Sequence, residues 1–570
     1  MRAETKHLLL IPNARLVPPE LQVEFGPVPS GMLPLDGRPA LSHIIERYAP
    51  FAFDTLIASH EGIDAVYAYA RGMDGTEGRI CDVGTTESLG ETILLALQDI
   101  GESVETLAVN FADTLLADDF GTLAAGGDVV WYGEEADSER WTTFTIGPED
   151  NIEQIIDRRS EKPTDVAQVF VGVFWIASAG AFKKELQREV GIKDQSVDPF
   201  YRALRAYFNG RSRESRQLLK AEGWHDLGHL DTYYETRRNY FIASRFFNQV
   251  SVDPHRGILR KTSSDRETLA AEVSWYRNLP ADLRYLGPRV FGASSTGPEP
   301  YLEIEYYGYP VLNDAYLFGA WELGTWARVL RVLDLLLTDM AAHSAPVSTT
   351  ATELAMREMY LEKTLRRAVP LLSDSTFMDL TGRRVNLNGH QISGLATVLD
   401  LLPGVLERHE IVQPRPFSVI HGDLTLNNIL FDRRSNVIRL VDPRGDFGGF
   451  TTFGDPDYDL AKLAHSLHGD YDPILAGAAA LKTDAGNITL AIELSPRQRA
   501  VKRLFAAWLA ARTETGLARI RLLESLLFIS MVPLHADRVA VQRVFLARGI
   551  QLFDQALALL EGREAPGTNI

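Results

Sequence analysis

Over its first 180 residues the chain alternates short apolar runs with helix-like stretches, and this alternation restricts the possible folds more than any other feature. HLLLI, FDTLIAS, TLAVNF, VVWYG and VFVGVFWIAS read as strands, whereas ALSHIIERY and GETILLALQDI read as amphipathic helices. Strands separated by helices tend to run in one direction, because a crossover helix returns the chain to the same end of the sheet. The expectation is an α/β unit around a largely parallel sheet. After residue 231 the pattern changes. SRFFNQVSVD and ILRKTS read as antiparallel strands around a turn at 254–257, with RETLAAEVSWYRNLP as a helix after them. Beyond residue 323 long amphipathic stretches such as TWARVLRVLDLLLTDMAAH and MREMYLEKTLRRAVPLL dominate, and helices are expected over most of 497–560.

A chain of 570 residues exceeds what a single core organises. We place a boundary in the helix-like link at 238–243, which gives units at 1–240, 241–312 and 313–570, the last mostly helical. The net charge of -18 argues against binding duplex nucleic acid, which depends on neutralising phosphates. Cys81 is the only cysteine, so an internal disulfide and a cysteine-based zinc cluster are excluded, and a reducing compartment suits the chain. The apolar run at 8–11 is too short for a signal segment and is stopped by Pro12. No stretch approaches the roughly 18 apolar residues of a membrane span. A cytoplasmic location with no membrane span is therefore expected.

The chemistry is concentrated in FSVIHGDLTLNNILFDRRSNVIRLVDPRGD. His421, Asp423 and Asn428 fit the spacing H-x-D-x-x-x-x-N between two apolar strands, and a third apolar run delivers Asp442 at a strand end. Phosphoryl transfer needs a carboxylate to orient a hydroxyl and accept its proton, and oxygen ligands for magnesium at the phosphates. Asp423 fits the first role; Asn428 and Asp442 fit the second. Read as structure alone, the same residues would cap a turn and open a loop.

These residues resemble the aminoglycoside phosphotransferase and choline kinase superfamily, relatives of the protein kinases, from about residue 243 onward. The resemblance rests most on IHGDLTLNNIL and VDPRG. It implies an α+β bilobal protein-kinase-like fold that uses ATP and magnesium, with Asp423 as catalytic base and Asn428 and Asp442 on the metal. It also implies a small lobe in which a strand lysine touches the ATP phosphates and is held by a helix glutamate; Lys261 and Glu272 match in type and order. YLEIEYYGYPVL looks like the edge strand and hinge that bind adenine, around 303–307. The chain lacks a G-x-G-x-x-G over the first hairpin and an A-P-E, which disfavours a protein substrate. Choline kinases carry Trp-Glu after the magnesium aspartate, whereas this chain carries Pro443, Arg444 and Gly445. Arg444 beside the catalytic centre suits a negatively charged substrate or the phosphates. Its other reading is a clamp on Asp446 or Asp455. Asp455, Asp457 and Asp459 open a helix, where carboxylates complement the dipole, and read as structural.

The N-terminal stretch LLLIPNARLVPPELQVEFGPVPSGMLPLDGRPALSHIIERY resembles nucleotidyltransferases that build nucleotide sugars and nucleotide-activated alcohols. Pro29, Leu33, Pro34, Leu35, Gly37, Arg38 and Pro39 carry the likeness. It implies a Rossmann-like, GT-A-like α/β domain that takes CTP or another NTP, with Arg15 in the nucleotide-binding loop. Asp113 in LAVNFADTLL and Asp226 in GWHDLGHLDTYY match the family's magnesium aspartates. Two departures stand against this. The loop at 12–15 has no glycine where backbone must approach a triphosphate, and Ser30 stands where the family carries lysine. His225 and His229 flank Asp226 but form no helical HExxH pattern, and they read as hydrogen-bonded fillers.

The expected activity is bifunctional: ATP-dependent phosphorylation of a small hydroxyl compound, then nucleotidyl transfer to the product for capsule or other surface-glycan precursors. Sugars, polyols, acids and amino alcohols all remain open as acceptors. One alternative is a kinase with a catalytically degenerate, nucleotide-sugar-binding N-terminal domain. Another is a drug-modifying phosphotransferase, which would have no use for the N-terminal half.

Overall fold

The structure, a computed structural model, describes residues 6–70, 79–100, 104–120, 127–136, 138–157, 166–192, 196–243, 248–295, 299–345, 348–484, 486–513 and 516–564. Two compact units are present: Met1–Tyr240 with Phe318–Ala320, and Phe241–Leu317 with Trp321–Ile570.

The first unit is α/β, built on a nine-stranded sheet. Its central strand, His7–Asn13, lies parallel to Asp54–Ser59 on one side and to Thr106–Asn110 on the other. Arg79–Asp82 extends the parallel half. The other half turns antiparallel where Ala167–Ile176 pairs with both Thr106–Asn110 and Asp128–Glu135, and Arg216–Lys220 then runs parallel to Asp128–Glu135. The sheet is therefore mixed rather than largely parallel. Between Asp128–Glu135 and Ala167–Ile176 the described chain holds only short strands and 3-10 turns, with no crossover helix, so it turns straight back. Leu8, Leu10, Leu107, Val109 and Phe174 form the core with Leu204 and Phe208 of helix Pro199–Asn209.

The second unit is α+β and has two lobes. Its small lobe is a four-stranded antiparallel sheet, ordered Asn248–Asp253, Ile258–Ser263, Tyr301–Glu305, Val290–Ser294. Residues 244–247 of the expected first strand lie outside the described residues. Tyr301–Glu305 has a partner on each side, so it is an interior strand and not the edge strand expected; Val290–Ser294 takes the edge. Helix Arg266–Asn278 follows the hairpin, capped where Asp265 accepts from the Thr268 amide (3.1 Å).

The large lobe is mostly helical. Helix Thr349–Arg357 passes through a π-helical turn, Glu358–Glu362, into Lys363–Ala368. A sheet absent from the sequence reading joins Arg384–Leu387 and His390–Ser393 to Ala479–Asp484 and Asn487–Ile492. Among the described residues no helix is long and apolar enough to cross a membrane.

Candidate active sites

In the second unit the loop after strand Ser418–Val419 is locked from below. Asp459, on helix Pro456–Leu467 and only 1% exposed, accepts from the backbone amides of His421 (2.7 Å) and Gly422 (2.8 Å). Burial pushes its carboxyl up to about 7 against those two donors. His421 is fully buried, and its burial lowers its pKa, so the ring is neutral. Its Nε2 donates to the Val441 carbonyl (3.0 Å) and its Nδ1 accepts from the Asp423 amide (3.3 Å), which fixes one tautomer. Gly422 has φ of +77°, a left-handed turn that a side chain would strain.

That turn exposes Asp423, whose side chain is 38% accessible. Lys462 Nζ meets its Oδ1 at 2.8 Å, and Asn428 Nδ2 donates to its Oδ2 (3.1 Å) and its backbone oxygen (2.8 Å). Desolvation alone would raise the Asp423 carboxyl; Lys462, with His421 and Arg444 behind it, outweighs this and holds it below the ordinary carboxylate range. Asp423 is thus ionised at neutral pH. Asn428 turns its amide nitrogen to Asp423, so its carbonyl oxygen is the atom that could hold a cation.

Asp442 follows strand Val437–Leu440 in a left-handed conformation (φ 53°). Lys261, on strand Ile258–Ser263, donates to Asp442 Oδ1 (2.9 Å) and to Glu272 Oε2 (2.7 Å). Burial would lower the lysine, but the two carboxylates overcome it and keep the ammonium charged. Glu272 is 3% exposed, far from a solvated helix charge. Three residues on, Trp275 donates its indole to the Ile420 carbonyl (2.7 Å) and packs edge-on against His421. Gly445, at φ +65°, lies under Ala271, where an added Cβ would come within 2.2 Å of the carbonyl oxygen.

Arg444 does not clamp Asp446 or Asp455. Asp446 accepts from the Gly449 amide, and Asp455 is paired with Arg519 and Arg415 and accepts from Tyr360. The Arg444 Nε is buried with no hydrogen-bond partner. Sequence reasoning missed Lys462, which sits three residues after Asp459 on the same helix face; a lysine within the apolar run LAKLAHSL was the available signal.

In the first unit, the C-terminal ends of the parallel strands open on a cleft of about 370 Å³, lined by Arg15, Ser30, Glu87, Ser88, Asp113, Asp157 and Asp198 among others. Arg15 is held on the cleft wall by the carbonyls of Thr86 (3.3 Å) and Glu87 (3.2 Å). Asp226 ends strand Trp224–Asp226, which pairs with Thr114–Leu116 next to Asp113. The two carboxylates converge. A Cβ placed on Gly228 would lie 3.1 Å from Asp113 Oδ2 and 3.2 Å from Asp226 Oδ1. Asp226 is oriented by the Gly228 amide (3.0 Å), Thr232 Oγ1 (2.8 Å) and His229 Nδ1 (2.6 Å), and the bond to Asp226 raises the His229 pKa. His225 lies on the strand and is lowered by burial.

The glycine-free loop is tied down rather than open. Glu61 Oε2 accepts from the Leu16 amide (3.1 Å), and the Ala14 carbonyl accepts from the Glu61 amide (3.1 Å). Asp198 caps helix Pro199–Asn209 and also receives the amides of Leu89 and Gly90, so it shapes the cleft floor. Among the described residues no three histidine, cysteine or acidic side chains form a metal-binding group. Each site instead offers hard oxygen ligands in pairs, which fits magnesium completed by phosphate and water.

A lysine–glutamate pair on a small antiparallel sheet, joined to a helical lobe with an Asp–Asn loop and a strand-end aspartate, defines a kinase-type phosphotransferase. Residues 251–523 match the phosphotransferase enzyme family, APH, and the C-terminal half is a domain of that family. No curated protein matches the chain. Among solved structures, the N-terminal part is similar to CTP:phosphocholine cytidylyltransferase from Streptococcus pneumoniae, at 11% identity, TM-score 0.33, covering 40% of this chain and 98% of that one. HddC from Yersinia pseudotuberculosis, complexed with GMP-PN, aligns at 13% identity and TM-score 0.30 over 41% of this chain and 99% of its own. The nucleoside-diphosphate-sugar pyrophosphorylase from Vibrio cholerae RC9 aligns at 14% and 0.32, over 40% and 99%.

Proposed function

We propose that the protein is bifunctional: the second unit phosphorylates a hydroxyl group on a small molecule, and the first attaches a nucleotide to the product. The observation that carries the kinase half is a pair of arrays, Glu272–Lys261–Asp442 and Lys462–Asp423–Asn428, in which each carboxylate faces a cation. Asp423 orients the acceptor hydroxyl and receives its proton as the new oxygen–phosphorus bond forms and the bond from the γ-phosphorus to the bridging oxygen breaks, releasing ADP. Lys261 binds the donor phosphates, and Asn428 and Asp442 would hold magnesium, which would supply charge neutralisation at those phosphates.

For the first unit, the convergence of Asp113 and Asp226 beside a cleft that also carries Arg15 supports nucleotidyl transfer with CTP or another NTP. The intended products are activated precursors for capsule or other surface glycans. A second reading, that this unit binds a nucleotide sugar without turning it over, draws on Ser30 and on the Leu16 amide already occupied by Glu61.

The test is a mass-spectrometric screen of alcohols and sugars with ATP and each NTP. Phosphorylated acceptor must appear and vanish in Asp423→Ala. Pyrophosphate release from an NTP plus that product must depend on magnesium and on Asp113. ATP-dependent phosphorylation that survives Asp423→Ala would sink the kinase assignment, and absence of pyrophosphate release would leave the binding-only reading of the first unit.

A further inference from the structure

Lys462, Lys363, Arg367 and Arg444 form a group of four cations that begins at Asp423, and most of their charge has no acid to meet it. Lys462 takes the Asp423 Oδ1. Lys363 is 6% exposed, and its ammonium has only the Met359 sulfur (3.8 Å) and the Tyr458 hydroxyl (3.5 Å) within reach. Arg367 donates to the Ser530 carbonyl (3.3 Å), and Arg444 Nε is buried without a partner. Among the described residues no carboxylate bonds to Lys363, Arg367 or Arg444.

The four belong together. Tyr458, which meets Lys363, lies one turn before Lys462 on helix Pro456–Leu467, and the Arg444 amide donates to the His421 carbonyl (3.0 Å) beside Asp423. Arg444 also acts electrostatically on Asp423, Lys462, Lys363, Arg367 and Tyr458. Burial, with Arg444, Lys462 and Arg367 nearby, depresses Lys363 to about 8 despite Tyr458, and Lys363, followed by Lys462 and Arg444, pulls buried Tyr458 down to about 8. An uncompensated buried ammonium is costly, and an incoming anion would relieve that cost. Lys363 also begins immediately after the π-helical turn Glu358–Glu362, an irregularity that recurs at functional sites because it re-aims the residues that follow.

The two oxygens of Asp423 divide the centre. Oδ2 faces Asn428, hence the metal and the donor phosphates; Oδ1 faces Lys462, hence the cation cluster. The donor side already has its own lysine, Lys261, neutralised by two carboxylates.

We propose that the phosphoryl acceptor is an anionic hydroxy compound, bearing a carboxylate or a phosphate ester, whose charged group is received by Lys363, Arg444 and Arg367 while Lys462 steadies Asp423. This rests on the kinase reading above and narrows it. A cationic acceptor such as an amino alcohol or an aminoglycoside would meet like charge here, which excludes it. Lys363, Arg367 and Arg444 are specificity residues, and Lys462 is a positioning residue.

Two measurements on the full chain test this. The first is sulfate binding by calorimetry, independent of turnover. Wild type is expected to bind one sulfate, Lys363→Arg to retain it, and Lys363→Met to weaken it by about 30-fold or more, as for a buried charge partner removed. Removing an uncompensated charge favours folding, so Lys363→Met is a foldable variant. Sulfate affinity unchanged in both Lys363→Met and Arg444→Gln overturns the anion site. The second compares kcat/KM for glycerol, D-glycerate, glycerol 3-phosphate and ethanolamine. Either anion is expected to exceed glycerol by at least about tenfold, and which of the two wins separates carboxylate from phosphate. Preference for glycerol or ethanolamine overturns the acceptor class. Sulfate bound normally with no product from any acceptor would instead remove the kinase reading, and the acceptor assignment with it.

Discussion

The two units present paired carboxylates in opposite ways. In the second unit each carboxylate of the candidate site is met by an ammonium: Lys261 between Glu272 and Asp442, Lys462 on Asp423. In the first unit Asp226 is oriented by a backbone amide, a threonine hydroxyl and an imidazole, and Ser30 stands where its likeness to nucleotidyltransferases leads one to expect lysine. Fixed cations hold geometry and charge before any nucleotide arrives, so the kinase site is preorganised. Neutral donors fix the direction of a carboxylate but leave the compensating charge to the incoming metal–nucleotide complex. Magnesium is then expected to matter more to binding in the first unit than in the second.

The largest effect expected is from Asp423→Asn, which should lower kcat for phosphotransfer by about 10³-fold with the fold intact, read by ATP turnover against the acceptor it uses. The matching change in the first unit, Asp113→Asn, should cost about 100-fold in magnesium-dependent pyrophosphate release. If wild type releases none, the contrast between the units becomes one of active against inactive. Next is the Lys363–Tyr458 pair, which sheds a proton near pH 8 in the folded state. The unfolded chain holds that proton until about pH 10, so it binds more protons over this window and stability rises with pH there. Lys363→Met should raise Tm at pH 7 and flatten the rise, a difference of about 2–3 kcal/mol by denaturant titration at the two pH values. The smallest effect is a gain: Ser30→Lys, in the cleft with Asp113, should tighten NTP binding by about tenfold through one charge-assisted hydrogen bond.

The kinase centre was legible because its parts are contiguous or ordered. His421, Asp423 and Asn428 share one loop, and Lys261 and Glu272 precede it in the sequence order that their likeness to known kinases implies. The cation cluster was not, since Lys363, Arg444 and Lys462 come from three segments with no shared motif. The trace of Lys363 was its phase: with Met356, Met359 and Tyr360 it falls on the buried side of its helix, a position where lysine is rare. The second sheet of the large lobe escaped for another reason. Arg384–Leu387 is four residues long and pairs with Asn487–Ile492, about a hundred residues away, and no local pattern records such a partner. The mixed sheet of the first unit was misread because apolar alternation reports strands, not their direction.

The anchoring of helix Arg266–Asn278 has a regulatory meaning. Trp275 ties it to the residue before the catalytic loop, and Ala271 closes over Gly445 beside the metal loop. In a kinase that switches by swinging this helix, the lysine–glutamate contact breaks and re-forms; here such a swing would tear out an indole hydrogen bond and open a packed core. The lever is bolted down. The indole hydrogen bond and the close approach of Ala271 thus hold the Lys261–Glu272 pair beside the loop that carries Asp423.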